Sequence, residues 1–214
     1  MTRFVRLLGL VALVAAGAAP LPAQSSRLSY GGLLGLSFSK AGGEDIGGNS
    51  KLVTGTAVGA FATFGFGGML ALEPQLLMVD KGIKSEEGGL SDTRKLTYLQ
   101  IPVLVKVLFP IGAPGGVTGF LFAGPGVAYR VGCRLTLAQG GDELTGDCDL
   151  DEETEPLRSF DSSAIFGLGA DIGRATFSIR YDHGLSRLDQ SAAANDIKNR
   201  SVIILGGVRV RMNP

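Results

Sequence analysis

YLQIPVLVK (Tyr98–Lys106) carries an alternating pattern. Leu99, Ile101, Val103 and Val105, continued by Val107, fall on one face, opposite Tyr98, Gln100 and Lys106. Successive side chains of a strand point to opposite sides, so period two marks a strand with one apolar and one polar face. Helical periodicity is nearly missing after residue 24, and the same alternation recurs on both sides of this stretch.

Upstream, Leu28, Tyr30, Leu34, Leu36 and Phe38 oppose Ser29, Gly31, Gly35, Ser37 and Ser39, with Leu33 the exception. Over 52–66, Val58, Ala60, Ala62, Phe64 and Phe66 oppose Gly55, Gly59 and Thr63, and Phe61 breaks the pattern. Leu70, Leu72, Pro74, Leu76 and Met78 oppose Glu73, Gln75 and Lys81, while Leu77 and Val79 share the polar side. Downstream, Leu121, Ala123, Val127, Tyr129 and Val131 oppose Gly124, Gly126 and Arg130. Phe160, Ala164, Phe166, Leu168 and Ala170 oppose Asp161, Ser163, Gly167, Gly169 and Asp171. Phe177, Ile179 and Tyr181 oppose Thr176, Ser178, Arg180 and Asp182, and Val202, Ile204, Val208 and Val210 oppose Ser201, Gly207, Arg209 and Arg211. The total is eight strands.

Eight amphipathic strands fit a soluble lipocalin-like barrel or sandwich with the apolar face inward, or a transmembrane barrel with that face on lipid. The apolar faces are aliphatic, and the polar faces are rich in Gly and Ser, which suit a narrow lumen. Those faces also carry both signs of charge: Glu73, Asp161, Asp171 and Asp182 against Lys106, Arg130, Arg180, Arg209 and Arg211. Charges in a low-dielectric interior need partners, and this set is nearly balanced. Short breaks at Gly65–Gly68, Pro110–Gly116 and Ile172–Arg174 alternate with long polar segments at 40–51, 81–95, 132–159 and 184–199. Short turns at one end and long loops at the other are the asymmetry of an outer-membrane barrel. Tyr30, Tyr129 and Tyr181 sit near strand ends on the apolar face, as an interfacial belt requires. The expected fold is therefore all-β, an eight-stranded antiparallel up-and-down transmembrane barrel over residues 24–214, located in a bacterial outer membrane.

Composition narrows the function classes. Of 214 residues, 33 are Gly, and Lys+Arg and Asp+Glu stand at 20 each, so no basic excess points to nucleic acid. One His and two Cys leave no His/Cys cluster for a metal, and no cofactor is expected. After residue 24 no run of 18 apolar residues exists, which excludes a helical membrane protein.

Residues 1–23 read as a secretory signal peptide. Arg3 and Arg6 precede the apolar stretch Leu7–Ala19, and Pro20, Pro22 and Ala23 lead to a polar junction. Export makes a Cys133–Cys148 disulfide the expected state of the only two cysteines. Closing that loop contributes on the order of 3 kcal/mol by restricting the unfolded chain.

LEPQLLMVDKG (Leu72–Gly82) followed by YLQIPVLVK resembles the paired third and fourth strands of the PorT-like outer-membrane β-barrel family. AGPG (Ala123–Gly126), FGLGADIG (Phe166–Gly173) and IRYDHGL (Ile179–Leu185) are similar to its later strands. The resemblance implies a barrel in the outer membrane without implying an activity. Where that family usually carries Glu, this chain has Gln75 and Gln100, so Glu73 supplies the inward carboxylate of the hairpin.

Candidate chemistry is sparse. His183 and Ser186 are three apart, which on a strand puts them on opposite faces, and Asp182 and His183 are adjacent and also opposed. Neither pair makes a catalytic constellation, so no enzyme is expected: the expected role is structural or surface-interacting through the extracellular loops, with a small outer-membrane enzyme as the alternative. Asp147, Asp149 and Asp151 start like an EF-hand, but Glu152 occupies the glycine position and Arg158 the twelfth. This acidic loop is left with two readings, a solvated surface or a weak divalent-cation site. FGLGADIG lacks the spacing and the following helix of a dinucleotide loop. Eight strands leave an interior that side chains fill, so a packed lumen is expected rather than an open porin-like pore. Glu73, Lys106, Arg130, Arg180, Asp182 and Arg209 are expected to form its ion-pair network. The partners expected are outer-membrane lipid, lipopolysaccharide and the barrel-assembly machinery, with the protein a monomer.

Overall fold

The computed structural model describes residues 28–42, 52–87, 90–112, 116–139, 142–147, 160–185 and 198–212. Nine strands are present among them: β1 (Leu28–Gly42), β2 (Val53–Gly65), β3 (Leu70–Glu87), β4 (Leu90–Ile111), β5 (Val117–Gln139), β6 (Asp142–Asp147), β7 (Phe160–Ile172), β8 (Ala175–Gly184) and β9 (Lys198–Arg211).

Eight of them close a barrel. The order β4-β3-β2-β1-β9-β8-β7-β5 is sealed by β4–β5 pairing, and every ladder is antiparallel. Closure leaves no sheet edge, which is how a β-structure satisfies its backbone groups in hydrocarbon. Ladder pairing is interrupted beside Pro74 and Pro102, which lack an N–H: it steps from Pro74–Val103 to Leu77–Gln100 and from Pro102–Gly126 to Val105–Ala123.

The wall is apolar on the outside. Ile101 is 46% and Ile204 48% exposed, and Leu34, Val58, Leu76, Met78, Leu121, Leu168 and Val208 are exposed with them. A soluble carrier would gather these residues inward, so the lipocalin-like alternative is overturned. On β3 the outward run extends from Leu70 to Met78 and stops at Asp80, whose carboxylate accepts hydrogen bonds from Thr56 (2.7 Å) on β2 and Thr97 (2.8 Å) on β4. Nine residues rise roughly 27 Å along the strand. With the tilt of such barrels and the reach of the side chains, that approaches the apolar band about 25 Å tall that an outer membrane requires.

The ends differ. Gly67, Gly68, Gly112 and Gly173 all lie at the short turns with positive φ, a conformation that costs glycine little. Leu28 and Met212 meet at this same end through a 2.9 Å backbone hydrogen bond. At the other end the structure corrects the loop reading. Residues 81–95 do not form a simple loop: β3 and β4 pair out to Glu87 and Leu90. Likewise β5 runs to Gln139 and turns back as β6, with Arg134 opposite Asp147. Polar composition hid these extensions, because ladder hydrogen bonds propagate past the membrane once the wall has aligned the strands.

Candidate functional site

The side chains that face the lumen define the site. Parity places Glu73, Gln75, Leu77, Val79 and Lys81 of β3 inward, with Tyr98, Gln100, Leu104 and Lys106 of β4, and all are buried. From the far wall come Asp161, Ser163, Ile165 and Asp171 of β7, Thr176, Arg180 and Asp182 of β8, and Ile203, Leu205 and Arg209 of β9.

Six of these form one connected polar chain across the barrel. Lys106 Nζ lies 2.7 Å from Glu73 Oε2, which also accepts from Thr63 at 2.7 Å. Glu73 Oε1 accepts from Gln75 Nε2 at 2.9 Å, and Gln75 Oε1 accepts from Arg180 Nη1 at 3.1 Å. Arg180 Nη2 donates to Gln100 Oε1 at 2.8 Å, Gln100 Nε2 donates to Asp182 Oδ2 at 2.9 Å, and Arg180 Nε stands 3.1 Å from Asp182 Oδ1. Gln75 thus bridges the two ion pairs, and Gln100 bonds both members of the Arg180–Asp182 pair, each amide using both its donor and its acceptor.

Apolar groups pack on both sides of this chain. Leu33, Ala57, Phe61, Leu77, Val79, Ile203 and Leu205 form one cluster, and Leu104, Phe120, Phe122 and Ile165 another. Lys106 Nζ sits 3.8 Å from the centroid of Phe120, a cation–π contact inside the lumen. The glycines of β7 make room for these rings: a Cβ on Gly169 would lie 2.4 Å from Phe120, and one on Gly167 2.5 Å from Phe122. Between the chain and the clusters a cavity of about 10 Å³ remains, lined by Phe61, Glu73, Gln75, Lys106, Phe122 and Arg180 among others. That is at the lower bound of what one water needs.

The sequence-derived set divides. Glu73, Lys106, Arg180 and Asp182 come together in the polar chain. Arg209 instead pairs with Asp171 at 2.5 Å, nearer the short-turn end. Arg130 stands opposite Tyr98 toward the other end, where Lys81 lies 5.6 Å from the Tyr98 ring. The sequence reading missed the bridging roles of Gln75 and Gln100 and the inward Phe120, Phe122, Ile203 and Leu205. Leu33, Phe61, Leu77 and Val79, which broke the alternation, are the lumen's apolar filling.

His183 is on the outer wall beside Tyr181, ring centroids 6.2 Å apart, and Ser186 lies outside the described residues. Cys133 is buried with Leu96, Tyr98 and Ala128, turned inward by a bulge where the β4–β5 register shifts at Thr97/Tyr98. Cys148, Asp149 and Asp151 lie outside the described residues, and Asp147 ends β6.

A family model described as outer membrane protein beta-barrel domain matches residues 22–190. The chain belongs to that family. It is an integral β-barrel of the bacterial outer membrane, and the matched span takes in β1 through β8 of the wall. No curated protein matches the chain significantly in sequence. Among solved structures it is similar to Ail, the attachment invasion locus protein of Yersinia pestis, at 14% identity and a TM-score of 0.42, covering 85% of this chain and 98% of that one. Neisserial surface protein A is similar at 10% identity and a TM-score of 0.43, covering 84% and 96%. The outer membrane enzyme PagL is similar at 14% identity and a TM-score of 0.40, covering 81% and 98%.

Proposed function

We propose that this outer-membrane barrel is a sealed pedestal: its wall anchors in lipid, its lumen conducts nothing, and its surface loops and hairpins carry any recognition. The observation that carries the reading is the Lys106–Glu73–Gln75–Arg180–Gln100–Asp182 chain, packed between apolar clusters, with a cavity of about 10 Å³ beside it. A conducting barrel needs a water-filled interior, and eight strands leave little room beyond side chains. An enzymatic role is not part of this proposal, because the one histidine faces the membrane side beside Tyr181. The test is planar-bilayer recording of the pure protein: no steady conductance is expected, and a stable large conductance from the folded barrel overturns the reading.

Several finer assignments belong to the same proposal. Residues 1–23 act as the export signal, and the barrel-assembly machinery inserts the remainder as a monomer. Within the family the PorT-like group is the proposed affiliation, on the strength of Leu72–Gly82 and Tyr98–Lys106. A Cys133–Cys148 disulfide ties the β5–β6 hairpin to its base, supported by the lack of any free cysteine among the described residues. The long-hairpin end faces outward, following the rule that short turns are periplasmic, and meets lipopolysaccharide there.

A further inference from the structure

At the long-hairpin end the outer side of the wall turns basic on β8 and β9. Parity sets Arg200 on the same outward face as Val202 and Ile204, and His183 on the same outward face as Ile179 and Tyr181. His183 stands directly opposite Arg200 in the β8–β9 ladder, and Lys40 of β1 is the register partner of Arg200 on its other side. Arg200 is exposed and His183 half-buried. Directly opposed residues of an antiparallel pair hold their Cβ atoms roughly 5 Å apart, so one small anion reaches both side chains.

The charge on this side is of one sign. Among the described residues, no outward position of β7, β8, β9 or β1 holds a carboxylate, because Asp161, Asp171 and Asp182 are buried on the lumen side. No ion pair among the described residues involves Arg200. The outward Asp80 is on β3, three strands from β9, and Thr56 and Thr97 already donate to it. A guanidinium fork matches a phosphate, and an imidazole N–H donates in either tautomer.

The setting decides which anion. Phe166, Ile179 and Ile204 face outward and are exposed on the turn side of this pair, so the lipid-facing band runs up to it on the same face of the wall. Tyr181 lies between band and cations, its ring 5.2 Å from that of Phe166 and 6.2 Å from that of His183, as an interfacial tyrosine does. A phosphate held here therefore belongs to a lipid. We propose that Arg200 and His183 bind a phosphate of the lipid A of lipopolysaccharide, with its acyl chains along Phe166, Ile179 and Ile204. The site rests on the outward orientation of the long-hairpin end proposed above, and it names where the barrel meets that glycolipid.

The test is native mass spectrometry of the full refolded barrel, released from micelles containing lipid A, its dephosphorylated form, phosphatidylglycerol or inorganic phosphate. One lipid A should stay bound, and Arg200→Gln with His183→Gln should lower its retention by about five-fold or more, in line with the pull of a basic side chain on anionic lipid. Both side chains are on the outer face, so the double variant should fold, which its heat-dependent gel mobility checks. Lys95→Gln removes an exposed cation on β4, four strands from β9, and should leave retention unchanged. Equal retention of lipid A and its dephosphorylated form, or undiminished retention by the double variant, overturns the site. Phosphatidylglycerol or inorganic phosphate held as firmly as lipid A overturns the glycolipid assignment. Orientation is read separately, from antibody staining of intact cells carrying a peptide tag inserted between Ala192 and Ala193. Staining is expected, and a tag reached only after permeabilisation overturns the orientation whatever the lipid result.

Discussion

Arg180 on β8 donates to Gln75 on β3 at 3.1 Å, and these two strands are diametrically opposed, four steps apart either way around the barrel. One guanidinium therefore spans the full width of the lumen. Arg180 is 2% exposed, so its charge depends on Asp182, Gln75 and Gln100 rather than on bulk water.

Replacing Arg180 with Met should destabilise the barrel by about 3–5 kcal/mol, because Asp182 is left buried without its countercharge. Urea unfolding in lipid vesicles measures this. Adding Asp182→Asn should recover a large part of the loss, and an unrecovered double variant would mean that the pair is not coupled.

The same logic applies to Lys106. Lys106→Met strands the Glu73 carboxylate, and about 3–5 kcal/mol of stability should go with it. Glu73→Gln in the same chain should restore much of it, and a double-mutant cycle reads out the coupling.

A Cβ on Gly169 would lie 2.2 Å from the Phe177 carbonyl oxygen and 2.4 Å from the Phe120 ring, so Gly169→Val should cost at least about 1–3 kcal/mol by overpacking. Substituting Phe120→Leu in addition should relieve part of the strain. The check is the temperature at which folded barrel converts to the slow-migrating unfolded band on a gel.

Loss of the proposed disulfide through Cys133→Ser should cost on the order of 3 kcal/mol in the chain-entropy account. Alkylation of the unfolded, unreduced protein should label neither cysteine. Labelling of both would remove the cross-link.

Much of the wall was legible from parity alone. Leu99 through Val107 and Val202 through Val210 face lipid as their alternation requires, since period two reports the face of every residue. The lumen was less so. In GFLFAGPG and SVIILGG both faces are apolar, which concealed Phe120, Phe122, Ile203 and Leu205. Partnership was illegible for a further reason. Parity says that Arg209 and Glu73 point inward but not at what height, and height depends on strand stagger. Stagger sets Arg209 against Asp171, places the neutral amide of Gln75 between the two ion pairs, and lays that of Gln100 against both Arg180 and Asp182.

Which side of the wall touches lipid is the claim under all the rest. The chain has no Trp, so single tryptophans can be placed at Leu76, exposed on the outside, and at Phe122, buried in the lumen. In vesicles with brominated acyl chains, Leu76→Trp fluorescence should be strongly quenched and Phe122→Trp fluorescence should not. Quenching at Phe122 with Leu76 protected would contradict the account.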